Sequence, residues 1–301
     1  MTRAHDHIPA TAVLMIVGAV ATFSIMDATI KTMLPRLPVP FLVWARWTFQ
    51  VVAMVIWLGP TLGLGMVKTG RLRLQLLRGL LLISSSLCFF MALGSLPLAE
   101  ATAINYTTPV LVILLAVIFL GERMTGPRIA FVVAGIAGML LIVRPGADLF
   151  RGASLLVLCS ASFYAVFQVL TRVMAREDPR VMLLYPALVG AGVMTVAWPF
   201  FGSHLDLTWL DMAKLLMVGV LGTAGHFLLI LAFQRAPASA LTPFTYAHLV
   251  FATLVGWLVF GDFPDGLTLV GMAVIGGSGL LLTWHERRRA LMAPAEAIAI
   301  D

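Results

Sequence analysis

The sequence predicts an all-α membrane protein, with ten transmembrane helices arranged as two inverted five-helix repeats. Three observations carry that expectation. Of 301 residues, 60 % are hydrophobic and only 11 % charged, against roughly 25 % charged in a soluble domain; the mean hydropathy is +1.00. Ten apolar runs approach the length, about 20 residues, that a spanning helix requires. Residues 92–143 also align without a gap on residues 232–283, 140 positions later. Ten of the 52 paired positions are identical, including Pro97 with Pro237, Thr102 with Thr242, Tyr106 with Tyr246, Gly121 with Gly261 and Gly126 with Gly266. Aliphatic composition supplies chance matches, but not readily these five. Such a period reads as two copies of one bundle.

The first run, 10–32, is too long for a signal-peptide core and has no convincing cleavage site, so it is expected to stay as helix 1. Runs at 39–58, 75–95, 99–120 and 127–144 give helices 2 to 5. The connection 59–74, with Gly59, Pro60, Gly63, Gly65 and Gly70, reads as a solvated loop. Arg144-Pro145-Gly146-Ala147-Asp148 stops the fifth helix and divides the halves. Runs at 152–173, 181–201, 212–233, 238–260 and 266–284 give helices 6 to 10, with another solvated loop at 174–180. The repeats then cover 12–144 and 152–284, and 285–301 is a cytoplasmic tail.

Five spans is an odd number, so the second copy enters the membrane from the side opposite the first. That makes an inverted repeat, an arrangement that in many carriers places the substrate at the repeat interface. Lys and Arg set the orientation. With the N-terminus inside, 14 basic residues fall on the inner side and 5 (Lys31, Arg36, Arg144, Arg151, Lys214) on the outer side, with Arg46 inside a span. Both termini are expected in the cytoplasm. The net charge of +6 therefore reflects topology anchors, and no basic face interleaved with aromatics points to nucleic acid.

Other chemistries find little support. Gly63-Leu64-Gly65 lacks the third glycine and acidic partner of a dinucleotide fingerprint, and no phosphate-binding Gly-Lys-Ser/Thr motif is present. Cys88 and Cys159 lie within spans and suggest no disulfide framework. His226 and His248 have no ligand-spaced companions, so no metal and no cofactor is expected. Either histidine could relay a proton, since imidazole titrates near neutrality; the alternative is a satisfied core histidine. No clustered acids or His-x-x-x-His spacing supports an integral membrane lipid-modifying enzyme, so the chain is not expected to be an enzyme. A passive channel would show a polar ring through several helices.

Polar residues inside the spans are the site candidates, because each Arg, Lys or Asp at mid-helix costs roughly 2.5–3.5 kcal/mol on insertion scales. Asp27, Lys31 and Arg46 fall at similar depth near the outer ends of helices 1 and 2. Asp27 is expected to pair with Arg46, Lys31 or both, as a structural ion pair or an outer gate, or with Arg46 facing a substrate carboxylate. In helix 4, Glu100, Asn105, Tyr106, Thr107 and Thr108 cluster beside Pro109. In helix 9, Thr242, Pro243, Thr245, Tyr246 and His248 match them. Tyr106 and Tyr246 become pseudo-symmetry mates on opposite sides of the midplane, each offering a ring and a hydroxyl to a substrate with an apolar body and polar head. Their alternative role is aromatic packing. Tyr164 and Gln168 share a face of helix 6, and Ser85 marks helix 3. Trp44, Trp47, Trp198 and Trp257 fit interfacial belt positions.

The stretch from Leu96 to Gly126, with Leu96-Pro97-Leu98-Ala99-Glu100-Ala101 and Leu120-Gly121-Glu122-Arg123, resembles the EamA domain of the drug/metabolite transporter superfamily. Its counterpart from Ala236 to Gly266 carries Pro237, Tyr246 and Gly261-Asp262 in the same places, and Lys31 and Arg46 resemble basic positions of a first EamA copy. The second copy departs by having Asp262 in place of Glu, no basic residue after it, and no arginine matching Arg46. The resemblance implies a ten-helix carrier of the bacterial inner membrane that moves a small organic metabolite by alternating access. An amino acid or related amphiphile, exported, is the first expectation. Import of a vitamin or nucleoside-type metabolite such as riboflavin or S-adenosylmethionine is the second. Expected partners are the small-molecule substrate, membrane lipids and a coupling proton, with the protein a monomer or homodimer.

Overall fold

The structure, a computed structural model, describes residues 9–144, 152–174, 177–201, 205–236 and 238–292. Pro237, Arg151, Arg176, Arg3, the Pro145–Asp148 stop and the end of the tail lie outside the described residues. Among the described residues, twelve α-helices make ten spans long and apolar enough to cross a membrane. They are α1 (Ala10–Met33), α2 (Val39–Leu62), α3 (Leu72–Leu93), α4 (Leu98–Asn105) and α5 (Thr108–Leu120) as one broken span, and α6 (Gly126–Val143). The second half repeats the order: α7 (Gly152–Val173), α8 (Pro179–Phe201), α9 (Trp209–Arg235), α10 (Ala238–Thr245) with α11 (Ala247–Phe260), and α12 (Gly266–Met292).

The boundaries shift where local chemistry allows. The loop expected at 59–74 is shorter: α2 runs past Pro60 to Leu62, and a 3-10 turn follows over Gly63–Val67. Tyr185 donates to the Val67 carbonyl at 2.6 Å, tying that turn to α8. Helix α12 continues to Met292, so the first part of the expected tail is helical. Gly121 and Gly261 end α5 and α11 at φ 68° and 74°. A Cβ disfavours that left-handed conformation, which is why glycine recurs at both positions of the repeat.

Contacts between the ends confirm opposite entry of the two halves. Arg36, after α1, reaches Asp211 at the start of α9 (2.9 Å), and Arg144, at the end of α6, reaches Asp265 before α12 (2.5 Å). At the other end, where α1 begins, Glu122 accepts from Arg128 (2.8 Å) and Arg172 (3.2 Å), and Arg128 also meets Glu286 (3.0 Å). We call these the far end and the near end. Asp211 closes a capping box on α9 with Thr208, which fixes where that helix begins.

Packing obeys the 140-residue offset. Helix α1 lies on α9 as α7 lies on α3, and α2 lies on α9 as α8 lies on α3. The central crossings α2–α8 and α6–α12 map onto themselves. Gly79 of α3 faces Val189 of α8, and Gly219 of α9 faces Phe49 of α2; both residues of the second contact are mates of the first. Where α6 crosses α12, a Cβ on Gly138 would come 2.9 Å from the Gly271 carbonyl, and one on Gly271 2.7 Å from that of Gly138. In lipid, such small-residue contacts let backbones approach and gain dispersion.

The Arg144–Asp265 clamp has a pH signature. Hydrogen bonds from Arg144 and from the Thr268 backbone N–H hold the Asp265 carboxyl well below the usual carboxylate range. A depressed folded value means that the contribution is present above the unfolded pKa, about 3.9, and is lost as pH falls through the folded value. Asp265→Asn is expected to lower the melting temperature slightly at neutral pH, slightly because the pair is solvent-screened. The gap from the unmodified protein should close as pH drops below about 4. A gap constant from pH 7 to pH 3 would show that the clamp carries no charge-dependent stability.

Candidate functional site

Both broken spans break at a tyrosine. Pro109 cannot donate to the Asn105 carbonyl four residues back, and the Thr108 hydroxyl donates to that carbonyl instead (2.7 Å). The Thr107 hydroxyl likewise donates to Ile104 O (2.6 Å). In the second copy, Pro243 lies in α10, and Tyr246 separates α10 from α11. The Leu249 N–H turns to Tyr246 O, leaving the Thr245 carbonyl without its helical donor. The Tyr106 hydroxyl fills that role at 2.5 Å. The first break thus supports the second across the repeat interface.

The two rings meet with centroids 5.2 Å apart and an interplanar angle of 36°, and the His248 ring lies 6.1 Å from that of Tyr106. The tyrosines therefore stand side by side instead of on opposite sides of the midplane, because the breaks bring both to one depth. Tyr246 rests on Gly279 of α12 so closely that an added Cβ there would lie 2.0 Å from its hydroxyl. Asn105 Oδ1 and His248 Nε2 are buried with no hydrogen-bond partner among the described residues. Such unsatisfied groups cost about 1–3 kcal/mol each and commonly await a ligand or water.

A second group of polar residues adjoins this pair. Tyr164 of α7 interacts electrostatically with both Tyr106 and Arg46, and Arg46 with Asp27 and His226. The direct ion pair expected for Asp27 is not formed: no carboxylate oxygen lies within 4.0 Å of Arg46 or Lys31 among the described residues. Arg46 instead lies against the rings of Trp47 (4.9 Å) and Phe90 (5.5 Å). Lys31 points away to the far end, donating to the Leu96 carbonyl and covering the Phe260 ring at 5.2 Å, with Asp262 and Glu100 as neighbouring charges.

The other expected residues divide. The Ser85 and Ser160 hydroxyls share a hydrogen bond (2.9 Å) between α3 and α7, a packing contact. Gln168 is half-buried five residues before the end of α7, and among the described residues no hydrogen bond ties it to the tyrosines. His226 bonds Gly222 O through Nδ1 (2.7 Å) and meets the Phe23 ring edge-on. Trp47 is buried, not interfacial, since Gly190 lets α8 come within 2.7 Å of its ring as measured from an added Cβ. Trp44 and Trp198 do form an aromatic cluster with Phe41 at the far end. Sequence reasoning passed over Phe260, and it gave Gly279 and Leu96 no place at the site. A separate apolar pocket of about 550 Å3 opens sideways between α2, α8 and α9, lined by Phe49, Gln50, Val220 and His226 among others.

The two ends differ. At the far end α4 packs on α11, with Gly256 facing Leu98 and Ala99. The symmetry-related contact would join α5 to α10 at the near end, and no comparable packing is present there among the described residues. Among the described residues, α4 and α11 pack together at the far end, whereas α5 and α10 make no comparable contact at the near end.

Comparison with known proteins agrees with this architecture. The profile described as the EamA-like transporter family matches residues 10–144 and again 151–284. An S-adenosylmethionine uptake transporter of Rickettsia bellii is 29 % identical over 75 % of this chain and 77 % of its own. The pseudopaline exporter CntI of Pseudomonas aeruginosa is 27 % identical over 87 % and 92 %, and a riboflavin transporter of Brucella anthropi is 27 % identical over 88 % and 96 %. A solved crystal structure shares the fold with a TM-score of 0.64 at 22 % identity, over 94 % of this chain and 99 % of that one.

Proposed function

We propose, from the premise that this chain belongs to the EamA-like transporter family, that it is a secondary carrier working by alternating access in the bacterial inner membrane. Its cargo is a small organic metabolite, an amino acid or related amphiphile, and its direction is export. The observation that carries this reading is the tyrosine pair at two symmetry-related helix breaks, beside a far-end α4–α11 contact that has no comparable α5–α10 counterpart among the described residues. The distribution of basic residues supports an orientation with both termini, and so the near end, in the cytoplasm. A metabolite would enter there and meet Tyr106, Tyr246, Tyr164, Asn105 and His248. In the opposite state the 140-residue offset exchanges the contacts: α5 closes on α10, and the Tyr246 hydroxyl turns to the Asn105 carbonyl.

A second reading, import of a vitamin or nucleoside-type metabolite, is favoured by the relatives named for S-adenosylmethionine uptake and riboflavin transport. The same cycle run the other way serves it, so direction is decided by which membrane face loads substrate.

One experiment tests the cycle itself. In a background with Cys88 and Cys159 replaced by serine, cysteines at Ala99 and Gly256 are oxidised to lock the far end. Counterflow of a transported metabolite in proteoliposomes is expected to stop on oxidation and return on reduction. Undiminished counterflow in the locked protein would exclude alternating access through this end.

A further inference from the structure

Asp27 and Arg46 are an acid and a base inside the bundle that interact electrostatically without forming a direct ion pair among the described residues. Asp27 is 6 % exposed and sits six residues, about 9 Å, before the end of α1. No hydrogen bond to its carboxylate is made among the described residues, and its one charged neighbour is Arg46. Arg46 Nε is buried with no partner, and the rings of Trp47 and Phe90 lie near its guanidinium. Stacking engages the faces of a guanidinium and leaves its N–H edge, which is the edge that grips a carboxylate through two parallel bonds.

Leaving such a gap is expensive. A buried charge without a close partner is more costly than a paired one, and closing the distance would satisfy both residues. A gap therefore suits something that fits between them. We infer that the Asp27–Arg46 gap holds the head group of a zwitterionic amino-carboxylate, its carboxylate on Arg46 and its ammonium on Asp27. This rests on the carrier reading above and names the end of the cargo that the protein recognises.

Charge balance narrows the class. Asp27 and Arg46 sum to zero, and a zwitterion keeps the sum at zero with each charge paired. A simple acid would leave Asp27 unpaired, and a simple amine would leave Arg46 unpaired, each in a low-dielectric setting. The other ionisable groups facing Arg46, Tyr164 and His226, add no fixed carboxylate that could replace Asp27. The mates of Asp27 and Arg46 in the second copy are Phe167 and Pro186, so the head group has one seat. From there Tyr164 leads toward Tyr106 and Tyr246, where the remainder of the molecule would lie.

The test uses the full-length protein in detergent and the shift of its melting temperature with single compounds. The panel is the twenty common amino acids and S-adenosylmethionine, each beside its decarboxylated amine and its deaminated acid where these exist, plus riboflavin. At least one zwitterion is expected to stabilise, with its amine and acid counterparts at least tenfold weaker. Arg46→Gln and Asp27→Asn should each remove that stabilisation. Should either fail to fold, Arg46→Lys and Asp27→Glu keep the charge, and a tenfold loss of affinity in each is expected. Stabilisation by riboflavin or singly charged compounds alone, or by no compound in the panel, overturns the head-group assignment. So does a zwitterion that binds folded Arg46→Gln unchanged. Flux of riboflavin in proteoliposomes would then keep the carrier reading alive, whereas absence of flux for every compound would end that reading too.

Discussion

Gly79→Ala and Gly219→Ala are each expected to destabilise the protein by about 1–3 kcal/mol, the range for overpacking a close contact. A Cβ on Gly79 would stand 2.5 Å from Val189 Cβ and 2.8 Å from both of its methyls; one on Gly219 would stand 2.4 Å from Phe49 Cβ. Neither neighbour offers a flexible far end that can swing aside, since the clashing atoms sit next to the backbone. Val189 is also β-branched and stiff at χ1. The two contacts join the halves of the molecule across its pseudo-two-fold axis, so both substitutions should lower the melting temperature by similar amounts. Gly79→Ala combined with Val189→Ala should recover most of the loss. A single Gly79→Ala protein that melts at the original temperature would mean that α3 and α8 are less closely packed than described.

Replacing both Tyr106 and Tyr246 by alanine is expected to reduce carrier flux by more than about tenfold, taking each lost ring contact as about 1 kcal/mol. The single change Tyr106→Phe is a separate probe. It removes the donor to the Thr245 carbonyl, leaving that oxygen unsatisfied at a cost of about 1–3 kcal/mol, while keeping the ring. Its expected mark is a lower melting temperature with partial flux. Gly279→Ala acts from outside the pair, because the new methyl takes the place of the Tyr246 hydroxyl, and should impair flux with both tyrosines present. Wild-type flux in the double alanine protein would show that the pair is packing only.

Several of these features were legible in the chain, and others were not. Gly121 recurs as Gly261 and Tyr106 as Tyr246 at one offset. Gly121 and Gly261 take a left-handed conformation, and Tyr106 and Tyr246 mark the helix breaks. Such demands are local, so the sequence displays them. The fate of Asp27 was not legible. Depth along two antiparallel helices placed it level with Arg46 and Lys31, and an ion pair was the simplest expectation. Rotation about each helix axis sent Lys31 to Leu96 and Phe260 and turned Arg46 against Trp47 and Phe90, and rotation is set by packing, not by spacing. Ser85 is similar: its hydroxyl meets Ser160 because α3 and α7 cross there.

Hydrophobic length, basic-residue bias and the doubled pattern determined by themselves that ten helices cross the membrane in two opposed sets. These follow from the cost of exposing backbone and charge to lipid, which every residue feels alone. Only the tertiary structure decided that the two tyrosines stand side by side, that Asp27 and Arg46 form no direct ion pair among the described residues, and that α4 packs on α11. Those outcomes depend on how side chains from helices more than a hundred residues apart share the same space.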